Sequence, residues 1–336
     1  MTSLSENPVR WGILGASKFA REYMAPAIHM ADGAVLAAIA TSDPAKAAPF
    51  QAFQPNLRVM TDYEALLADP DIDAIYIPLP NHLHLEWTLK ALDAGKPVLT
   101  EKPIALEEAD FDQLIEARDR SGLLAAEAYM VVHHPQWQRV RKLLAEGAVG
   151  KLQHVRGVFC YNNAASPDNI RNRPETAGGA IRDIGVYPFG VTRFVTGQEP
   201  STVNADISWE NDVDVISRVS AQFSDFSFEC VVTMRMHLFQ EMSFHGDRGV
   251  IRLAAPFNAQ VFKEASIELM GGEDTRLIRY PDVNHYVHQV ENFGATLRGE
   301  MDYPVPLEFS RGTQRMIDMA FAAAGRPGGN TPVDHA

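Results

Sequence analysis

Cysteine is almost missing from this chain: Cys160 and Cys230 are the only two in 336 residues. There is no Cys-x-x-Cys and no paired Cys/His spacing, which argues against a disulfide framework and against a zinc site. The histidines, His133, His134, His285 and His288 among them, show no metal-ligand spacing either, so no metal is expected. Basic residues are also short. Lys and Arg number 30 against 43 Asp and Glu, a net charge of −13 at pH 7. That balance disfavours a binder of the nucleic-acid phosphate backbone. No apolar run approaches membrane-spanning length. Residues 1–8 lack the basic and apolar segments of a signal peptide, so a cytoplasmic location is the expectation. What is present is apolar material for two cores: 46% of the residues are hydrophobic, and 336 residues suit two domains.

The first third alternates short apolar runs with amphipathic stretches. Strands are predicted at 9–14, 35–40, 57–60, 74–77, 97–100 and 124–126. Helices are predicted between them at 19–30, 45–53, 63–67, 84–94 (closed by Gly95) and 107–121. Such alternation implies βαβ units and a parallel sheet. After about Gly150 the pattern changes. Strands at 152–161, 201–209, 215–223, 226–235, 241–246 and 249–253 are joined by short links, and several alternate apolar with polar residues. This predicts a mainly antiparallel sheet with one wet or partner-covered face. Helices are expected at 136–146, 186–196, 287–297 and 309–324, and no internal repeat is visible. The fold class expected is α/β: a Rossmann domain at 1–127, an α+β domain with a large open sheet at 128–325, and a tail at 326–336.

Two features carry chemistry. Glu101-Lys102-Pro103 ends the apolar run at 98–100, and the proline forbids further strand bonding. In an open α/β sheet, ligands bind just outside the carboxyl ends of the strands. A lysine there can meet a cofactor and a substrate together. The second feature is Gly15-Ala16-Ser17-Lys18-Phe19-Ala20, at the first strand-to-helix turn. It has the placement of the dinucleotide fingerprint, with Gly15 for the tight turn and Ala20 for close packing. Ser17 replaces the second glycine. Helix N-terminal amides are a phosphate site. The end of the second strand, Thr41-Ser42-Asp43-Pro44-Ala45-Lys46, has a neutral hydroxyl where an acid would bond the ribose of NAD. With Lys46 one turn on, the stretch favours NADP over NAD, while Asp43 argues the other way.

Together, several segments make the chain resemble the Gfo/Idh/MocA family of glucose–fructose oxidoreductase, inositol dehydrogenase and rhizopine catabolism proteins. They are Gly12-Ile-Leu-Gly15-Ala16, Ile77-Pro78-Leu79-Pro80-Asn81-His82-Leu83-His84, and Gly95 through Pro103. Glu127-Ala128-Tyr129-Met130, His134-Pro135-Gln136 and Gly178-Gly179-Ala180-Ile181-Arg182-Asp183-Ile184-Gly185-Val186-Tyr187 complete the set. The resemblance implies NAD or NADP on the Rossmann domain and a sugar, inositol or related polyol as substrate between the domains. It implies a homodimer or homotetramer through the second sheet. Cofactor contacts are implied at Gly15, Ser17, Lys18, Phe19, Thr41, Ser42, Lys46, Pro78, Pro80, Asn81, His84, Glu101 and Lys102. Catalytic roles fall on Lys102, Asp183 and Tyr187, with Tyr129 and Arg171 beside the substrate. Tyr187 stands where many members carry histidine, as in glucose–fructose oxidoreductase and the dihydrodiol and xylose dehydrogenases. Val132 departs from that subgroup, which often has arginine nearby, so its substrates do not transfer.

Hydride transfer from an alcohol needs a proton acceptor and a charge beside the developing alkoxide. Lys102 supplies a cation. The Tyr187 phenol, with an ordinary pKa of about 10, becomes a usable base once a nearby cation favours phenolate. Asp183, four residues earlier, shares a helix face with Tyr187 if the segment is helical. Its alternative is a helix cap, as Tyr187's is a packed aromatic. Asn81 or His84 bonds the ribose or nicotinamide, or His84 is a helix-start residue with a local partner. Arg171 clamps a substrate hydroxyl or carboxylate, or is a solvated loop residue. Three readings fit: a dehydrogenase with exchanging NAD(P), an oxidoreductase cycling tightly held NADP between two sugars or within one substrate, and a non-catalytic nucleotide sensor.

Overall fold

The computed structural model of the chain describes residues 8–326, so residues 1–7 and the predicted tail from 327 onwards lie outside the described residues. The described chain divides into two compact units. The first comprises residues 8–105, 109–133 and 284–309. Its six strands are β1 (Val9–Leu14), β2 (Ala34–Ala40), β3 (Arg58–Met60), β4 (Ala74–Ile77), β5 (Val98–Thr100) and β6 (Ala125–Glu127). They are all parallel, in the order β3-β2-β1-β4-β5-β6. This is the doubly wound Rossmann order, with its switch point beside β1 and β4. Parallel strands lie under helices on both faces and therefore read as unbroken apolar runs. In β4 and β5 every residue is buried.

The segment 284–309 returns to this unit. Its helix, His285–Leu297, sets Phe293 against the buried Trp11 at 4.8 Å, and Tyr286 against Phe19 at 5.7 Å and Tyr23 at 5.5 Å. The helix expected at 19–30 starts with a π-helical turn, Ala20–Met24, before Ala25–Met30. Pro26 explains this: it has no amide to donate to the carbonyl of Glu22, and its ring crowds that oxygen.

The second unit comprises residues 106–108, 134–283 and 310–326. Its strands are β7 (Leu152–Asn162), β8 (Thr202–Glu210), β9 (Val213–Gln222), β10 (Ser227–Thr233), β11 (Arg235–Gly246), β12 (Gly249–Leu253), β13 (Ala265–Gly271) and β14 (Asp274–Tyr280). The order is β14-β13-β12-β11-β7-β10-β9-β8, antiparallel except where β10 runs parallel to β7. One face is polar and laced with ion pairs, including Arg218–Asp206 at 3.1 Å, Arg156–Glu229 at 3.4 Å and Arg252–Glu241 at 2.6 Å. The other carries the helix Val186–Thr196. A Cβ on Gly157 would lie 3.0 Å from Pro188 Cβ and 2.7 Å from Met242 Sδ, so only glycine lets helix and strand approach this closely.

Candidate active site

The first unit gathers the cofactor candidates at the carboxyl ends of β1, β2, β4 and β5. Gly15 has φ +100°, a backbone conformation that demands glycine, and a Cβ there would also press on Leu79 Cδ2 at 2.9 Å. Ser17 Oγ accepts the Ala20 amide at 3.0 Å, and Ser17 O accepts the Arg21 amide. The amides of Ala16, Ser17, Lys18 and Phe19 make no hydrogen bond among the described residues. Unpaired amides at a helix start, behind a turn without a side chain, form a cradle for an anion. These residues fit a dinucleotide pyrophosphate. Lys18 is exposed, and Phe19 packs on Tyr23 at 5.1 Å.

After β2, Thr41 is buried and its Oγ1 accepts the Asp43 amide at 3.3 Å. The Asp43 carboxylate accepts the Ala45 amide at 3.1 Å, capping the turn Pro44–Ala47. Ser42 and Lys46 are exposed.

After β4, Pro78 is buried, while Pro80 and Asn81 are partly open. His84 is buried, and both of its ring nitrogens face backbone carbonyl oxygens, those of Pro103 and Leu79, each at 2.7 Å. Glu101 accepts a hydrogen bond from the buried Tyr76 hydroxyl at 2.7 Å. Burial pushes its carboxyl up to about 7, against the opposing pull of Tyr76 and Lys102. Its neighbour Lys102 is half-buried. Tyr129 is buried, its ring 6.3 Å from that of Phe309.

The second unit brings Asp183, Arg171 and Tyr187 together with a residue that motifs do not reveal. Residues 155, 157, 159 and 161 of β7 share one face by the period of two. Along it, Phe159 lies 5.7 Å from the Tyr187 ring, and the Tyr161 hydroxyl donates to Asp183 Oδ2 at 2.7 Å. Arg171 Nε donates to Asp183 Oδ1 at 2.9 Å, with the arginine side chain 37% exposed and the aspartate 11%. Asp183 is thus held at both oxygens, and burial together with its charge keeps the Tyr161 phenol well above its ordinary pKa, a donor. Tyr187 is 5% exposed and also stacks on Phe257 at 5.6 Å.

Local structure explains this placement. Ile181–Gly185 is a π-helical turn, and Pro188 again lacks the amide that would pair with Ile184 four residues earlier. Its first amide, that of Ile181, donates to Asp214 Oδ2 at 2.7 Å from β9. Burial raises the Asp214 carboxyl to about 7. Arg171 sits on the short turn Ile170–Asn172, whose Asn169 side chain accepts the Arg171 amide at 3.0 Å. A Cβ on Gly178 would lie 2.5 Å from Arg171 O, so this glycine admits the loop. Arg235 ties the loop down through Asn163 Oδ1 at 2.9 Å and Asn172 Oδ1 at 3.2 Å.

Tyr161 and Asp214 are absent from the sequence candidates. A polar residue at an inward position of an apolar strand is the signal that points to each. Tyr161→Phe removes a donor from Asp183, an effect of about 1 kcal/mol. The expected result is a several-fold rise in substrate KM with the dissociation constant of the cofactor unchanged, read from kinetics and a separate cofactor titration.

A doubly wound sheet with an anion cradle at its first turn defines a nucleotide-binding fold. Comparison with known proteins agrees. The oxidoreductase family with an NAD-binding Rossmann fold, GFO_IDH_MocA, matches residues 9–129, and the GFO/IDH/MocA C-terminal domain matches residues 137–252. An uncharacterized oxidoreductase of Rhizobium meliloti is 35% identical over 95% of this chain and 97% of its own. A D-xylose 1-dehydrogenase (NADP(+)) of Haloferax volcanii is 30% identical over 94% of this chain and 97% of its own. The crystal structure of a 3-ketoreductase from Actinomadura kijaniata with NADP and TDP-benzene superimposes with a TM-score of 0.86 at 26% identity, covering 94% of this chain and 98% of that one. The chain belongs to the Gfo/Idh/MocA oxidoreductase family.

Proposed function

We propose that this protein is an NADP-linked oxidoreductase that interconverts a hydroxyl and a keto group on a sugar, polyol or related cyclic alcohol. The observation that carries the reading is Lys102, at the carboxyl end of β5 and next to the strands of the switch point. The 3-ketoreductase and the xylose dehydrogenase, both named with NADP, supply the substrate and cofactor class. When bound, the nicotinamide supplies or accepts the hydride. The protein's own residues do the rest. The Ala16–Phe19 amides hold the pyrophosphate. Lys102 places a positive charge at the reacting oxygen, and Tyr187 Oη moves its proton. Arg171, aimed by Asp183 and Tyr161, orients a further substrate hydroxyl. The test is a panel of free and nucleotide-linked sugars, keto sugars and polyols, read by the absorbance of reduced nicotinamide. No turnover with any of them would overturn the reading.

Ser42 and Lys46 are exposed at the end of β2, and Asp43 is committed to its cap. NADP therefore binds at least as tightly as NAD. Lys46→Ala weakens NADP several-fold, in line with about 1 kcal/mol for an exposed ion pair, and leaves NAD unchanged. Calorimetric titration of both cofactors checks this, and a clear preference for NAD would refute it. The cofactor role falls on the first unit, whose sheet spans residues 9–127, and the substrate role on the second, whose sheet spans residues 152–280. Assembly as a homodimer or homotetramer uses the polar face of the second sheet, and a strict monomer by light scattering would count against it.

A further inference from the structure

The His84 ring touches two loops at once. Nδ1 lies 2.7 Å from the carbonyl oxygen of Pro103, and Nε2 lies 2.7 Å from that of Leu79. Leu79 is in the loop leaving β4, and Pro103 directly follows Lys102 in the turn leaving β5. The same turn is fixed on its other side. The Glu101 amide donates to Ile77 O at 3.0 Å, and the Tyr76 hydroxyl donates to Glu101 Oε1 at 2.7 Å. The residues before and after the lysine are therefore both tied to the β4 strand or its loop, the second of them through one imidazole.

We propose that His84 is a positioning residue for Lys102, which holds the Glu101–Pro103 turn against the Leu79 loop so that the ammonium stays in register with the reacting oxygen. The role of the lysine rests on the hydride-transfer reading above. The geometry of the staple does not.

Carbonyl oxygens only accept hydrogen bonds, so the ring must donate. Burial pushes the His84 pKa down to about 4, with the nearby Lys102 and His82 charges acting the same way and the two carbonyls opposing. Bonding both carbonyls at 2.7 Å needs an N–H on each ring nitrogen, the form that the two carbonyls favour and burial opposes; a ring with one N–H bonds one loop and only packs against the other. A lysine side chain is long and flexible, so its aim depends on a fixed backbone. Misplacement of a catalytic group by about 1 Å costs about a hundredfold in rate.

Two variants test the inference. His84→Phe keeps a ring of similar size and donates nothing. His84→Gln keeps an N–H donor that reaches one carbonyl. With the identified substrate, His84→Phe should lower kcat about tenfold or more, with KM and the dissociation constant of the cofactor within about twofold. His84→Gln should recover most of that loss. Turnover is expressed per bound NADP, so a partly unfolded sample does not imitate the effect. Reactivity of the Lys102 amine, followed by competitive acylation and peptide mass spectrometry, gives a readout that needs no substrate. It should change in His84→Phe and less in His84→Gln.

If the wild-type protein turns over no sugar, the functional reading fails, while the Lys102 labelling still judges His84. A folded His84→Phe with wild-type kcat and labelling would overturn the inference, as would equal losses of kcat and cofactor stoichiometry in both variants. Should His84→Phe fail to fold, wild-type Lys102 labelling in His84→Gln together with an unrecovered loss of kcat would do the same.

Discussion

Lys102→Ala should lower turnover by about two or more orders of magnitude, if the lysine acts as proposed. A unit charge about 4 Å from a developing alkoxide, at an effective dielectric near 20, is worth about 4 kcal/mol. Water admitted into the space left by the side chain recovers part of that, which sets the lower bound. The loss falls on kcat, because charge on the oxygen grows only as the reaction proceeds. Lys102→Arg keeps the charge but replaces a compact ammonium with a planar fork. It should recover only part of the rate, since the backbone around this residue is tied on both sides, through Tyr76–Glu101 and His84–Pro103. Steady-state kinetics on an identified substrate, with cofactor binding measured separately, checks both variants. Turnover of Lys102→Ala within tenfold of wild type would remove the lysine from the chemistry.

The first sheet was legible because parallel strands buried on both sides must be apolar throughout. The run at 74–77 and the Tyr63–Leu67 helix are found as expected. Neither β13 nor β14 was expected. They form one end of the sheet, β14 at the edge and β13 beside it; in β14 Arg276, the exposed Leu277 and Arg279 leave no apolar face, and in β13 only Ala265 and Ile267 are buried. The first half of β11 was also hidden. Its Met236, Leu238 and Phe239 are exposed beside an irregularity in the pairing with β7. The two π turns were missed because a 3.6-residue period assumes a uniform helix, although Pro26 and Pro188 mark both places.

The site divides in the same way. Gly15 and Lys102 sit in short contiguous motifs that sequence alone displays, although their turns are held by distant residues, Ala40 for Gly15 and Tyr76, Ile77 and His84 around Lys102. Asp183 depends on Tyr161, 22 residues away, and the amide of Ile181 on Asp214, 33 residues away. Only the pairing of strands and the approach of a helix bring those together. His84 was read as either a cofactor contact or a locally satisfied helix start. Its ring is occupied by two carbonyls, one of them 19 residues away, an arrangement that local pattern does not show.

Tyr187→Phe should lower turnover by about two orders of magnitude, the usual worth of a positioned acid–base group. It should leave the fold and cofactor affinity nearly unchanged. The ring is held by Phe159 at 5.7 Å and Phe257 at 5.6 Å, contacts that phenylalanine keeps. What is lost is the hydroxyl, and with it the proton transfer proposed at Tyr187 Oη. A phenol with an ordinary pKa of about 10 is a poor base at neutral pH, so the role proposed above requires a cation that favours phenolate. Tyr187→His should retain part of the activity, because imidazole exchanges a proton near neutral pH. Its pH profile should shift toward the titration of histidine. If Tyr187→Phe keeps near-wild-type turnover, the phenol moves no proton, and Lys102 Nζ must donate and accept it alone.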